Sequence, residues 1–166
     1  MEFVEIIRDR RSIRKYKNTP VSKDDIEFIL EAAALAPSWA NWQCWRYVVV
    51  TDEELKKKIT VREWAAKAPL IIVGCADPSR SGEKAGKDYY MLDMGISMEH
   101  MVLAAHDLGL GTCWLGGQFD EDVVREVLGV PDSHRIVALI TVGYPDEEPE
   151  AKERKPTEEL YTWNKW

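Results

Sequence analysis

Apolar positions along the chain follow two different periods, and their alternation sets out the elements. Val4, Ile6 and Ile7 open a short helix that has to stop near a run of arginines. Ile26, Ile29, Leu30, Ala33 and Ala34 recur at helical spacing, with Ser22 as N-cap, Asp24 and Asp25 in the first turn, and Pro37 as the stop. Residues 47–50, Tyr-Val-Val-Val, are too few and too β-branched for a helix and predict a buried strand. Thr51 with Glu54 then reads as a capping box for a helix carrying Leu55 and Ile59. A second buried strand is expected over 70–75, Leu-Ile-Ile-Val-Gly-Cys. Met91, Leu92, Met94, Gly95, Met98, Val102 and Ala105 predict a long helix over about 88–108 that ends at Gly109. A strand at 111–115, a capped helix at 120–128 closed by Gly129, and an apolar strand at 136–142 complete the pattern. The polar, glycine-bearing stretch 77–87 reads as a mobile loop or lid.

Helices alternating with continuously apolar strands predict an α/β (α+β) sandwich in which helices cover both faces of a sheet. At 166 residues, one domain spanning 1–166 is the expectation. Residues 146–159 are polar apart from prolines and Ala151, yet Leu160, Tyr161, Trp163 and Trp166 follow. Aromatic residues in that number are poorly placed in water, so the reading is an extended arm over 146–166 whose aromatic end docks, a second subunit being one place for it.

Composition narrows the function. No apolar run is long enough to span a membrane, and Glu2 and Glu5 stand where a secretion signal needs cations, so a cytoplasmic location is expected. Cys44, Cys75 and Cys113 are odd in number and widely spaced, which suits free buried thiols. His100, His106 and His134 stand apart from one another, so no metal site is expected. A net charge of −7 argues against nucleic acid as a partner, yet Arg8, Arg10, Arg11, Arg14, Lys15 and Lys17 crowd one short stretch. That cluster suits one small anion, or else is a solvated helix end.

The dinucleotide fingerprint is missing: Gly109-Leu110-Gly111 lacks the third glycine, and no Walker, HExxH or GxSxG motif occurs. Present instead are Arg10-Arg11-Ser12-Ile13-Arg14 and Pro37-Ser38-Trp39-Ala40-Asn41-Trp42-Gln43-Cys44-Trp45. Trp114-Leu115-Gly116-Gly117, Val142-Gly143-Tyr144-Pro145 and Lys152-Glu153-Arg154-Lys155-Pro156 follow in order. Together these resemble the nitroreductase family of FMN enzymes over nearly the whole chain. One departure is Cys44, which stands where the family has proline.

The resemblance implies a central, mainly antiparallel sheet, and a homodimer that exchanges its C-terminal arms and holds FMN at the interface. NADH or NADPH would visit as a substrate and a small organic acceptor, such as a nitroaromatic or a quinone, would follow in alternating half-reactions. No general acid or base is expected, because the cofactor carries the hard chemistry. Arg10 and Arg154 are the candidates for the phosphate, guanidinium forks gripping it bidentately, with a hydroxyl from Ser12 and a second cation from Lys152; Arg11 is a further cofactor-binding candidate, and surface ion pairs are the plain alternative for these arginines. Arg14 is placed at the pyrimidine edge, where a cation about 4 Å from developing negative charge is worth about 4 kcal/mol at an effective dielectric of about 20. Asn41 offers that edge a donor and an acceptor, with Gln43 in support. Pro37 and Ser38 would pack on the rings from the other subunit. Leu115, Gly116 and Gly117 would lie along the opposite part of the ring, or form an ordinary loop. Trp39, Trp42 and Trp45 would wall an acceptor pocket or fill a dimer core. Within the family a similar scaffold also supports dehalogenation and flavin fragmentation, and a flavin-binding protein without turnover is the alternative from a different class.

Overall fold

The computed structural model describes residues 2–166. Four strands form one antiparallel sheet: β1 (Trp45–Val50), β2 (Leu70–Ala76), β5 (Gly111–Leu115) and β6 (Arg135–Gly143), in spatial order β1-β2-β6-β5. A separate two-stranded ribbon, β3 (Glu83–Lys84) with β4 (Lys87–Asp88), lies between β2 and the long helix. The helices are α1 (Phe3–Asp9), α2 (Lys23–Ala34), α3 (Glu53–Ile59), α4 (Glu63–Ala66), α5 (Tyr89–Asp107) and α6 (Glu121–Leu128).

β2 shows why the strands read as unbroken apolar runs. Successive side chains point to opposite faces. Leu70, Ile72 and Ala76 enter a core shared with Ile29 and Ala33 of α2 and with Met94, Met98 and Val102 of α5. Ile71, Val73 and Cys75 enter a second core with Ile59, Ala65 and Val124 from the three shorter helices. Both faces of the sheet are therefore covered, as the sequence pattern implies. Gly74 lets α5 lie close: a Cβ there would come within 2.6 Å of Met98 Sδ.

Helix ends follow local chemistry. Ser22 Oγ accepts the Asp25 N–H at 3.0 Å, and Asp120 accepts from Asp122 and Val123. Gly129 takes the left-handed conformation, φ 66°, that closes α6. The expected Thr51/Glu54 capping box is corrected by one residue. Asp52 caps α3, its Oδ1 accepting the Leu55 N–H at 2.8 Å, because a carboxylate one position on reaches the same orphan donors. The stretch expected to be a loose loop folds into a 3-10 turn at Pro78–Arg80 followed by the β3–β4 ribbon.

No helix of the described residues is long and apolar enough to cross a membrane.

Candidate functional site

The arginine segment after α1 runs beside β5 as an added edge. Ser12 bridges Thr112 in parallel, and the Ile13 N–H donates to the Thr112 carbonyl at 2.8 Å. Gly111 makes room for it, since a Cβ would meet Ile13 Cγ1 at 2.6 Å. Tyr16 locks the far end: its hydroxyl reaches the Ile13 carbonyl at 2.5 Å and Thr141 Oγ1 at 2.7 Å. Burial raises the Tyr16 phenol far above its ordinary range, so it stays protonated and can donate.

The chain after β6 returns to this same segment. Glu147 accepts the backbone N–H groups of Arg14 and, at 3.1 Å, Lys15. Asp146 N–H donates to the Lys15 carbonyl at 2.9 Å, and Lys15 Nζ pairs with the Asp146 carboxylate at 2.9 Å. Beyond this anchor the chain forms a cleft of about 640 Å³ with the first segment. Arg8, Arg10, Arg11, Ser12 and Arg14 line it from one end of the sequence, Lys152 and Arg154 from the other. Its lining carries six cations and one carboxylate, Glu150, on a chain whose net charge is −7. The field extends beyond the cleft: burial and then the neighbouring Arg10 lower the His106 imidazole below its ordinary range.

The cations are not equivalent. Arg11 Nη1 donates to the carbonyls of Arg8 at 2.6 Å and Arg10 at 3.0 Å, which ties it to the end of α1, while its Nε is buried without a partner. Arg14 stands over the Trp64 ring, 5.9 Å from the centroid, and also lines an adjoining cavity of about 260 Å³ with Arg62, Trp64, Cys113, Trp114, Leu115 and Gln118. Arg14 thus joins the cationic cleft to the end of β5, where Gly116 and Gly117 are exposed. Leu115 itself is 1% exposed and packs in the core.

Pro37, Ser38, Asn41 and Gln43 lie elsewhere, on the turn before β1. The sheet order puts this turn four strand spacings from the Ser12 segment, about 19 Å across at about 4.8 Å each. The turn has an unusual backbone: Ala40, Asn41 and Gln43 have φ of 48°, 58° and 51°. Such left-handed residues cost about 1–3 kcal/mol each and persist where their surroundings over-determine them. Gln43 N–H donates to Ser38 Oγ at 3.0 Å, and Gln43 Nε2 reaches both Asn41 oxygens at 3.3 Å. The three tryptophans separate. Trp39 is pinned between Gly82 and the Tyr89 ring, with centroids 4.5 Å apart. Trp45 packs on the core, and Trp42 alone is largely exposed.

Cys44 is buried in the site expected for proline. Burial, and next the Asp93 carboxylate, push its thiol up to about 12. The tail does not dock on its own chain: Leu160, Tyr161, Trp163 and Trp166 are all exposed. Arg62, Trp64, Gln118 and Glu147 are site residues that sequence reasoning misses. The first three are supplied by a four-residue helix and a loop with no motif, and Glu147 acts through two backbone amides 132 and 133 residues away.

A model of the Nitroreductase family matches residues 7–65 and 61–144. An Archaeoglobus fulgidus protein provisionally named an NADH dehydrogenase/NAD(P)H nitroreductase is 40% identical over 154 residues, covering 89% of this chain and 87% of that protein. A nitroreductase family protein from Clostridium novyi NT superposes with a TM-score of 0.83 at 38% identity, over 92% of this chain and 89% of the other. An FMN-dependent nitroreductase from Clostridium difficile R20291 gives 0.84 at 30% identity, over 98% and 99%. With a family model that spans most of the sequence and relatives matched along nearly their full length, this chain belongs to the nitroreductase family.

Proposed function

We propose that residues 1–166 act as one domain of a homodimeric FMN-dependent oxidoreductase, passing electrons from NADH or NADPH to small organic acceptors such as nitroaromatics and quinones. The observation that carries this reading is the convergence of Arg10, Ser12, Lys152 and Arg154 from opposite ends of the sequence on one cleft. Six cations against one carboxylate suit a group with nearly two negative charges, and the buried, partnerless Arg11 Nε marks a donor left for a ligand. When bound, FMN supplies a two-electron carrier between donor and acceptor.

The side chains bind and polarise. Arg10 and Arg154 would hold the phosphate, with Ser12 and Lys152 in support and Arg11 on the helix end beside them. Arg14, held over the Trp64 ring, supplies positive charge at the neighbouring cavity, and Gly116 and Gly117 let backbone N–H groups approach a planar ring. Pro37, Ser38, Asn41 and Gln43 serve the partner's site, because about 19 Å of sheet separates them from their own cleft. The apolar residues Met91, Leu92 and Ile96 form an uncovered stripe on α5, which supports a second copy there. The aromatic arm end, exposed on its own chain, then has the partner's surface to dock on. No side chain is assigned as general acid or base.

Purified protein is expected to retain FMN rather than FAD and to bleach in stopped flow when mixed with NADH or NADPH. Arg10→Ala and Arg154→Ala should each raise the Kd for FMN by roughly tenfold or more, a charged contact being worth about 1.5–3 kcal/mol. Protein that takes up no added FMN, or arginine variants with unchanged affinity, would refute the reading. Protein that binds FMN but stays yellow with either nicotinamide would be a flavin-binding module without turnover.

A further inference from the structure

Asp93, on α5, is 3% exposed and meets three donors from two distant segments. Oδ1 accepts the Trp39 backbone N–H at 2.9 Å; Oδ2 accepts the Ser81 hydroxyl at 2.7 Å and the Cys44 thiol at 3.7 Å. None of these partners carries a positive charge. A carboxylate kept this deep without a cation is costly, and as an acceptor-only group it takes the Trp39 N–H, the Ser81 hydroxyl and the Cys44 thiol together.

These contacts bracket the left-handed turn. Trp39 opens it and Cys44 closes it, so one side chain grips both ends of the segment that contains Ala40, Asn41 and Gln43. Ser81 ties the same carboxylate to the segment leading into the β3–β4 ribbon. Around this node the Asp77 N–H donates to the Cys44 carbonyl at 2.9 Å, and Gly82 lies directly beneath the Trp39 ring. The turn's strain has to be opposed by something outside it, and Asp93 is the buried charged group that touches it.

We propose that Asp93 is a positioning residue: it holds the Trp39–Gln43 turn in its strained shape, and through that turn orients Asn41 against the flavin bound by the partner subunit. The inference rests on the FMN reading above. Asp93 touches no ligand itself and acts from the far side of the turn.

The test uses full-length dimer, stripped of FMN and reconstituted, with Kd from flavin-fluorescence quenching, visible circular dichroism of the bound flavin, and thermal midpoints for each variant. Asp93→Ala removes the acceptor for Trp39 and should raise the FMN Kd by roughly tenfold or more and alter the visible dichroism. Asp93→Asn keeps a carbonyl for the Trp39 N–H but sets an amide against Ser81 and Cys44. It should lower the thermal midpoint yet recover wild-type dichroism and an FMN Kd within about threefold of wild type, a split that a purely structural role would not produce. Equal loss in Asp93→Asn and Asp93→Ala, or wild-type affinity and dichroism in Asp93→Ala, would overturn the proposal. Amide exchange in the wild-type apoprotein gives a reading that needs no variant: a slowly exchanging Trp39 N–H is expected, and a rapidly exchanging one would also overturn it. Wild-type dimer that binds no FMN would instead defeat the functional reading, leaving the apoprotein exchange result to judge Asp93 alone.

Discussion

Glu147→Ala isolates the device that brings the two ends of the sequence together. Glu147 accepts two backbone N–H groups, from Arg14 and Lys15, across more than 130 residues of chain. Hydrogen bonds to a charged acceptor are worth about 1.5–3 kcal/mol when buried; Glu147 is exposed, so about 1–2 kcal/mol for the pair is the better figure. That energy favours the docked arm over a detached one, and 1–2 kcal/mol corresponds to a factor of about 5–30 in such an equilibrium. Lys152 and Arg154 line the cleft only when the arm is docked, so the apparent Kd for FMN should rise by up to that factor. Flavin-fluorescence quenching titrations measure it directly. The decisive comparison is a double-mutant cycle: if Glu147 works by delivering Lys152 and Arg154, its removal should cost little in a protein already carrying Lys152→Ala and Arg154→Ala. A full, additive penalty in that background, or no penalty in the parent, would refute the argument.

Other expectations are equally direct. Gly111→Ala forces a Cβ to within 2.6 Å of Ile13, so the arginine segment must shift; a loss of about 1–3 kcal/mol in urea unfolding is expected, together with weaker FMN binding. Leu92→Glu places a charge on the exposed α5 stripe and should give monomers by sedimentation, with FMN lost in parallel; a monomer that keeps its FMN would rule out a shared site. Glu121, hydrogen-bonded to Arg135, has its carboxyl held below the ordinary 4.5. A folded-state value below the unfolded one contributes stability that is present above 4.5 and disappears as pH falls through the lower, folded value. Glu121→Gln should therefore flatten the acid limb of the thermal midpoint against pH below that point, and an unchanged limb would exclude the pair as a contributor.

Elements with strong periodicity are legible in the sequence alone. β2 and β6 are apolar at nearly every position because both faces are buried, and that pattern admits no helix of suitable length. The arginine segment stands out as a candidate for a small anion because its charge contrast with an acidic chain is local in sequence. Less was visible where the cause is non-local. The α3 cap moved from Thr51 to Asp52, since two adjacent oxygen-bearing residues compete for the same amides and sequence does not rank them. The 77–87 stretch reads as loose because its order comes from partners outside it, Trp39 and Asp93. Asp93 itself carried no signal: one acid in an apolar helix is silent until the segments that meet it are known.

The β3–β4 ribbon belongs to neither core and shares no ladder with the four-stranded sheet. Its tip, Ala85 and Gly86, is exposed and already adopts left-handed backbone. Lengthening a connection of this kind costs only about 0.6 kcal/mol per doubling. The ribbon is thus a graft point at which extra segments can be spliced in, refashioning access to the neighbouring turn while leaving the folding of the sheet untouched.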